Sequence, residues 1–194
     1  ASEKLQVSLA LLSRVEAWYR FLEKFAAEKV IYGINTGFGP MAQWRVDDKY
    51  LNDLQYNIIR SHATGAGEPL DDIYVKSALV ARLGTVLQCR SGVHTEVVDL
   101  LVAFINNDIF PFIPKHGSVG ASGDLVPLAH LCLPMLGMGE VEYQGQRMTG
   151  AELLKKMNWS PIKLASKEGL ALLNGTQNMA SFAVWALINA KRLS

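Results

Sequence analysis

The string Gly117-Ser118-Val119-Gly120-Ala121-Ser122-Gly123-Asp124-Leu125 offers the most unusual chemistry in this sequence. As local structure it is a tight turn feeding a helix with Asp124 at its N-cap. As chemistry it admits an attack of backbone on backbone. If the turn presses the Gly123 amide nitrogen onto the Ala121 carbonyl carbon, a ring can close with loss of two waters. Only glycine leaves that nitrogen unhindered, and only a small residue fits at 121. Only Ser or Cys at 122 can lose its γ atom to leave an exocyclic methylene. Preorganised proximity is what such an intramolecular step requires. The product is an electrophile, which no standard side chain provides. A helix starting at Asp124 aims its positive end toward the ring and favours negative charge there. Two other patterns fail: Asp124 breaks the nucleophile-elbow motif G-x-S-x-G, and no P-loop lysine follows.

A second glycine-rich string, Tyr32-Gly33-Ile34-Asn35-Thr36-Gly37-Phe38-Gly39-Pro40, carries a phenol beside backbone that can approach a ligand closely. At its ordinary pKa of ~10, Tyr32 is a weak base unless its surroundings stabilise the phenolate. The bland reading is a connection whose tyrosine packs and hydrogen-bonds. Gly37-x-Gly39-x-x-Ala42 loosely matches a dinucleotide fingerprint, but Pro40 interrupts it and no strand–helix alternation flanks it.

The elements around these strings are mostly helical. Leu11, Val15, Trp18, Leu22 and Phe25 form one apolar stripe, and Leu51, Leu54, Ile58 and His62 another. His62 therefore ends an apolar face, where a lone histidine is more often a satisfied core residue than a functional one. Pro69-Leu70-Asp71 starts a third helix through Val75, Leu79, Leu83 and Val86, closed by Ser91-Gly92. Thr95 can cap a fourth, with Val98, Leu101 and Ile105 inward. Ile109 to Pro114 contains two prolines and reads as a buried extended connector. The helix capped by Asp124 is expected over 125–136, with Pro127 in its first turn. Val141 to Met148, around Gln144-Gly145, reads as a small hairpin. Thr149 can cap a short helix to Met157, and Ser166 another, interrupted at Asn174-Gly175. A last helix from about Thr176 keeps its apolar period to the end, as though the chain were cut there. No repeat or linker divides the sequence, so one mostly α domain is expected over 1–194.

Composition narrows the function. A formal charge of +1 over 194 residues offers no footprint for nucleic acid or an anionic membrane. Charged residues are 19%, below the usual quarter, which favours a surface partly covered by other chains. Cys89 and Cys132 make no CxxC pattern, so neither a disulfide framework nor a metal site is expected. The N-terminus lacks a signal-peptide layout, and the uncharged stretch 169–190 is too polar to span a bilayer. A cytoplasmic protein is expected.

Residues 117–130, Gly-Ser-Val-Gly-Ala-Ser-Gly-Asp-Leu-Val-Pro-Leu-Ala-His, resemble the signature of the aromatic amino-acid ammonia-lyases. That family includes the histidine, phenylalanine and tyrosine ammonia-lyases and related aminomutases. Tyr-Gly-Ile-Asn-Thr-Gly-Phe-Gly (32–39), Ser-His-Ala-Thr-Gly (61–65) and Glu-Gly-Leu-Ala-Leu-Leu-Asn-Gly-Thr-Gln (168–177) agree with the same family, in its order. The resemblance covers nearly the whole chain. It implies a mainly α fold, the N-terminal part of the fumarase/aspartase-like helical superfamily, with a small β-hairpin. It also implies a cofactor, 4-methylidene-imidazol-5-one (MIO), formed from Ala121, Ser122 and Gly123. Tyr32 would be the catalytic base or acid, Asn174 would hydrogen-bond near the ring carbonyl, and His62 would line the substrate pocket. Gly39 and Asp124 would support them, and His130 would be structural.

The implied reaction is elimination of ammonia from an aromatic L-amino acid to give a trans-α,β-unsaturated acid. Ser61-His62 resembles the histidine-type pattern, whereas residues 39–45 resemble a bacterial branch that includes enzymes acting on tyrosine. Histidine to urocanate is favoured; a tyrosine ammonia-lyase and a 2,3-aminomutase are the alternatives. Members of the family are much longer than this chain and share active sites between subunits of a homotetramer, so residues 1–194 alone are expected to be inactive. A homologue or fragment that only binds partners is the second class of function.

Overall fold

The computed structural model describes residues 3–27, 29–165 and 167–194. Three helices supply much of its core. Helix α3 (Asp72–Val86) buries Val75, Leu79, Leu83 and Val86, as their spacing predicts. Helix α4 (Thr95–Asn106) buries Val97, Val98, Leu101 and Phe104 against it. Helix α5 (Leu125–Cys132) adds Leu128, Ala129 and Leu131. Around them pack α1 (Leu9–Ala26), α2 (Leu51–His62), α6 (Gly150–Met157), α7 (Glu168–Leu173) and α8 (Gln177–Leu193). Their buried apolar residues belong to one core cluster reaching from Val15 to Leu173.

Strands fill the gaps. The proline-rich connector does run extended and buried, but it is split into β2 (Ile109–Pro111) and β3 (Pro114–His116). Strand β3 pairs antiparallel with β1 (Ala66–Pro69), so Pro69 is a strand residue and α3 begins after it, at Asp72. The hairpin is present as β4 (Glu140–Tyr143) and β5 (Gln146–Thr149), with β2 added as a third strand along β4. Gln144 at φ +53° and Gly145 at +72° give the left-handed turn that a two-residue hairpin needs.

Several helix ends depart from expectation. Thr95 is the first helical residue, with His94 at the cap position and no side-chain cap bond. The helix after Asp124 ends at Cys132 and tightens into a 3-10 turn over Leu133–Leu136. Pro134 lacks the N–H that a continuing α-helix would need. Thr149 does cap α6, through a reciprocal pair with Glu152. The proposed cap at Ser166 lies outside the described residues. The α1 stripe is only half used: Val15 is buried, while Trp18 and Phe25 face outward with Phe21 and stack as an aromatic ladder. Among the described residues, no helix is long and apolar enough to cross a membrane.

Candidate active site

The short helix α7 connects the two glycine-rich strings. At its N-terminal half, Gly33 lies so close to Leu170 that a Cβ would sit 2.5 Å from Leu170 Cδ2. Gly33 also has φ +78°, so a side chain there would be strained and would have to displace the end of Leu170. The fully buried Gln55 of α2 ties the same two segments together. Its Nε2 donates to the Gly33 carbonyl at 3.1 Å, and its Oε1 accepts from the Gly169 N–H at 2.9 Å. Asn35 braces the loop from within, accepting from the Ile31 N–H and donating to the Lys29 carbonyl. On this support Tyr32 is 48% exposed. Its phenol oxygen accepts from the Gly39 N–H at 3.3 Å, and its ring meets Phe38 edge-on.

At the other end of α7, the Asn174–Gly175 turn grips the second string. Asn174 Nδ2 donates to the Ser122 carbonyl at 3.4 Å. The Asp124 N–H donates to the Gly175 carbonyl at 2.7 Å. Between these bonds, a Cβ on Gly123 would lie 2.3 Å from the Gly175 oxygen. The backbone here is contorted: Gly120, Ser122 and Gly123 have φ of +69°, +57° and +100°. For serine that is the sparsely populated left-handed region, held only because its surroundings impose it. Ala121 and Ser122 remain exposed, so the held loop still presents its face to solvent.

Asp124 occupies the cap position of α5 but its side chain makes no cap bond there. Oδ2 instead accepts from the Met179 N–H at 2.7 Å, in the first turn of α8. The carboxylate thus satisfies an orphan amide of a different helix and favours that helix's positive end. Asp124 is 3% exposed, consistent with a structural bond rather than a free acid.

His62 ends α2, half-buried. Its Nδ1 lies 2.7 Å from the Ile58 carbonyl, which can only accept, so Nδ1 carries a proton. In the neutral ring Nε2 is then an acceptor, without a hydrogen-bond partner among the described residues. The following turn reaches the second string: the Gly65 N–H donates to His130 Nε2 at 3.0 Å, and a Cβ on Gly117 would lie 3.1 Å from Gly65 Cα. His130 therefore has a structural partner, and burial holds its pKa below the ordinary histidine value.

Sequence reasoning missed the residues that hold α7. Glu168 is fully buried; its Oε1 accepts from the His94 N–H at 2.8 Å and bonds His94 Nδ1, and its Oε2 accepts from the Ala165 N–H. Burial pushes the His94 pKa down, but the Glu168 bond and charge, with Glu96, outweigh it and hold His94 above its ordinary value. Arg82, 1% exposed, donates to the carbonyls of Ala171 and Asn174. The available signal was a polar residue inside an apolar stripe: Gln55 beside Leu54 and Ile58, Arg82 beside Leu79 and Leu83. Tyr32 and residues 121–123 share no direct bond; they are joined through α7. Cys132 is buried, its thiol pushed up to about 12. No group of three or more His, Cys, Asp or Glu among the described residues is placed to hold a metal ion.

The sequence pattern described as aromatic amino acid lyase matches residues 1–194. The histidine ammonia-lyase of Geobacillus thermodenitrificans is 46% identical over 89% of this chain, which spans 34% of that relative. Among solved structures, the Pantoea agglomerans phenylalanine aminomutase superposes with a TM-score of 0.92 at 35% identity, over 98% of this chain and 37% of that one. The histidine ammonia-lyase of Trypanosoma cruzi gives a TM-score of 0.87 at 33% identity, over 98% and 36%. The chain therefore covers only about a third of each relative's length. With the pattern matched from end to end, the chain belongs to the aromatic amino acid lyase family.

Proposed function

We propose that the protein eliminates ammonia from an aromatic L-amino acid, histidine to urocanate, through an MIO ring made from Ala121, Ser122 and Gly123. One observation carries this reading. The Asn174–Gly175 turn clamps the triplet from both sides, with Ser122 and Gly123 at positive φ and no space for a side chain at 123. Such a geometry is costly for an ordinary turn and suits a backbone prepared to react with itself. The ring, when formed, supplies an electrophilic carbon derived from Ser122.

The chain's own residues would do the rest. Asn174 Nδ2, on the carbonyl that becomes the ring's, polarises it as charge develops there. Tyr32 takes the β-proton of the substrate; the Gly39 N–H orients its oxygen and stabilises negative charge on it. His62 offers Nε2 as an acceptor to an imidazole N–H. A phenol O–H would satisfy the same atom, so the geometry alone also admits tyrosine. Histidine is favoured because Ser61-His62 resembles the histidine-type pattern and the chain is 46% identical to the Geobacillus histidine ammonia-lyase, against 35% to the Pantoea phenylalanine aminomutase. The holding roles of Gly39 and Asp124 follow from their bonds to Tyr32 and to α8.

We further assign the protein to the cytoplasm as a homotetramer, with residues 1–194 as one unit of each subunit. The test is made on the protein at its natural length, incubated with L-histidine, L-tyrosine and L-phenylalanine. Urocanate is the expected product. Coumarate would move the substrate to tyrosine, and a β-amino acid would make the protein an aminomutase. No turnover of any of the three, with an intact mass showing no loss of two waters, would leave only a binding role.

A further inference from the structure

Arg82 is the largest fully buried side chain among the described residues, and it sits behind the turn that holds the triplet. Its Nη1 donates to the Asn174 carbonyl and to Gln177 Oε1, each at 3.0 Å, and its Nη2 donates to the Ala171 carbonyl. The two carbonyls belong to the C-terminus of α7, which lacks intrahelical donors and favours a cation. Gln177 opens α8, and its Nε2 returns to Thr85, one turn along α3 from Arg82. One guanidinium thus fixes both ends of the Asn174–Gly175 turn relative to α3. The turn has little slack. A Cβ on Gly175 would lie 2.7 Å from Arg82 Nη1, while the Gly175 oxygen leaves no space for one on Gly123. Asn174 and Gly175 are therefore packed between Arg82 on one side and residues 122–124 on the other.

We propose that Arg82 is a positioning residue for ring closure and for the elimination, acting through the Asn174–Gly175 turn on the Ala121–Ser122–Gly123 backbone. This rests on the reading of that triplet given above. In the closing step, the Gly123 nitrogen forms a bond to the Ala121 carbonyl carbon. The Ala121 oxygen leaves as water with the amide protons of Ser122 and Gly123. Ser122 then loses Oγ–H and its Cα hydrogen as the second water. No oxidant or reductant is needed, only proximity, and proximity is what a fixed turn provides. Arg82 touches none of the reacting atoms. A lysine at this position would keep the charge but lose the planar fork that reaches three acceptors.

The test compares Arg82→Met, Arg82→Lys and a core control on the same helix, Leu83→Ala, in the protein at its natural length. Intact mass gives the fraction of chains two waters light; kcat, KM and thermal stability are measured alongside. Arg82→Met is expected to lower the light fraction or kcat by about 10–100-fold with KM little changed. Arg82→Lys recovers part of this, and Leu83→Ala stays fully light although less stable. Arg82→Met that is folded, fully light and unchanged in kcat overturns the inference, as does equal loss of the light mass in Leu83→Ala. If Arg82→Met does not fold, Arg82→Lys decides by the same criteria. If the unsubstituted protein itself shows the full, uncyclised mass, the ring reading falls and this inference with it.

Discussion

Gly123 shows how much a single residue can be asked to do. Its φ of +100° and the 2.3 Å that would separate a Cβ from the Gly175 oxygen both exclude a side chain. Gly123→Ala is expected to destabilise the fold by about 1–3 kcal/mol and to leave the chain at full mass, measured by thermal unfolding and mass spectrometry. Asn174 makes a less rigid demand. Asn174→Ala removes one donor to the Ser122 carbonyl, so kcat should fall by about 10²–10³-fold while the fold survives, as steady-state kinetics would show. Only the triplet was legible from residue types alone; Tyr32, His62 and Asn174 stand out through the family resemblance, since by themselves they also read as a packed tyrosine, a core histidine and a helix break. The target of Asp124 was legible in neither way. Its side chain caps α8 rather than the helix it precedes, because the choice between two nearby helix ends is made by tertiary approach. No spacing rule within one segment contains that information.

Helix α7 is only six residues long, yet both glycine-rich strings rest on it. So short a helix gains little from its own hydrogen bonds and depends on outside partners. Glu168 and His94 secure its start, Gln55 its first turn, and Arg82 its end. The His94 pKa is held above 6.5, so its contribution to stability is complete below that value and is lost as pH rises through the raised pKa. Thermal unfolding across pH 6 to 9 should therefore show a larger loss in the unsubstituted protein than in His94→Gln. The long helices were legible from period, α3 and α4 above all, because their buried faces repeat at helical spacing. The strands β1 and β3 were not, since each has three or four residues and their pairing joins distant segments. The α1 stripe misled: Trp18 and Phe25 follow the helical period but find no described core to face. Periodicity marks an apolar face without naming what covers it.

At the scale of the molecule, exposed apolar side chains occur at several places among the described residues, two of them helix faces. One is the Trp18–Phe21–Phe25 ladder of α1; the other is α8, where Met179, Phe182, Val184 and Leu187 are exposed. Surfaces of this kind favour association. In the protein at its natural length, Phe182→Ser with Leu187→Ser is expected to shift the proposed tetramer toward smaller species, read by sedimentation velocity. Residues 1–194 expressed alone are expected to show no turnover, because the relatives they match are about two and a half times as long.

The bonds from Asp124 to Gly175 and Met179 also set a timetable. A ribosome that has delivered the triplet must add more than fifty further residues before the turn and the first coil of α8 emerge to grasp it. A nascent chain stalled before Asn174 holds every atom the ring needs and should keep its full mass. Maturation of this protein would then be an event that waits on translation, with the loop written early and activated late.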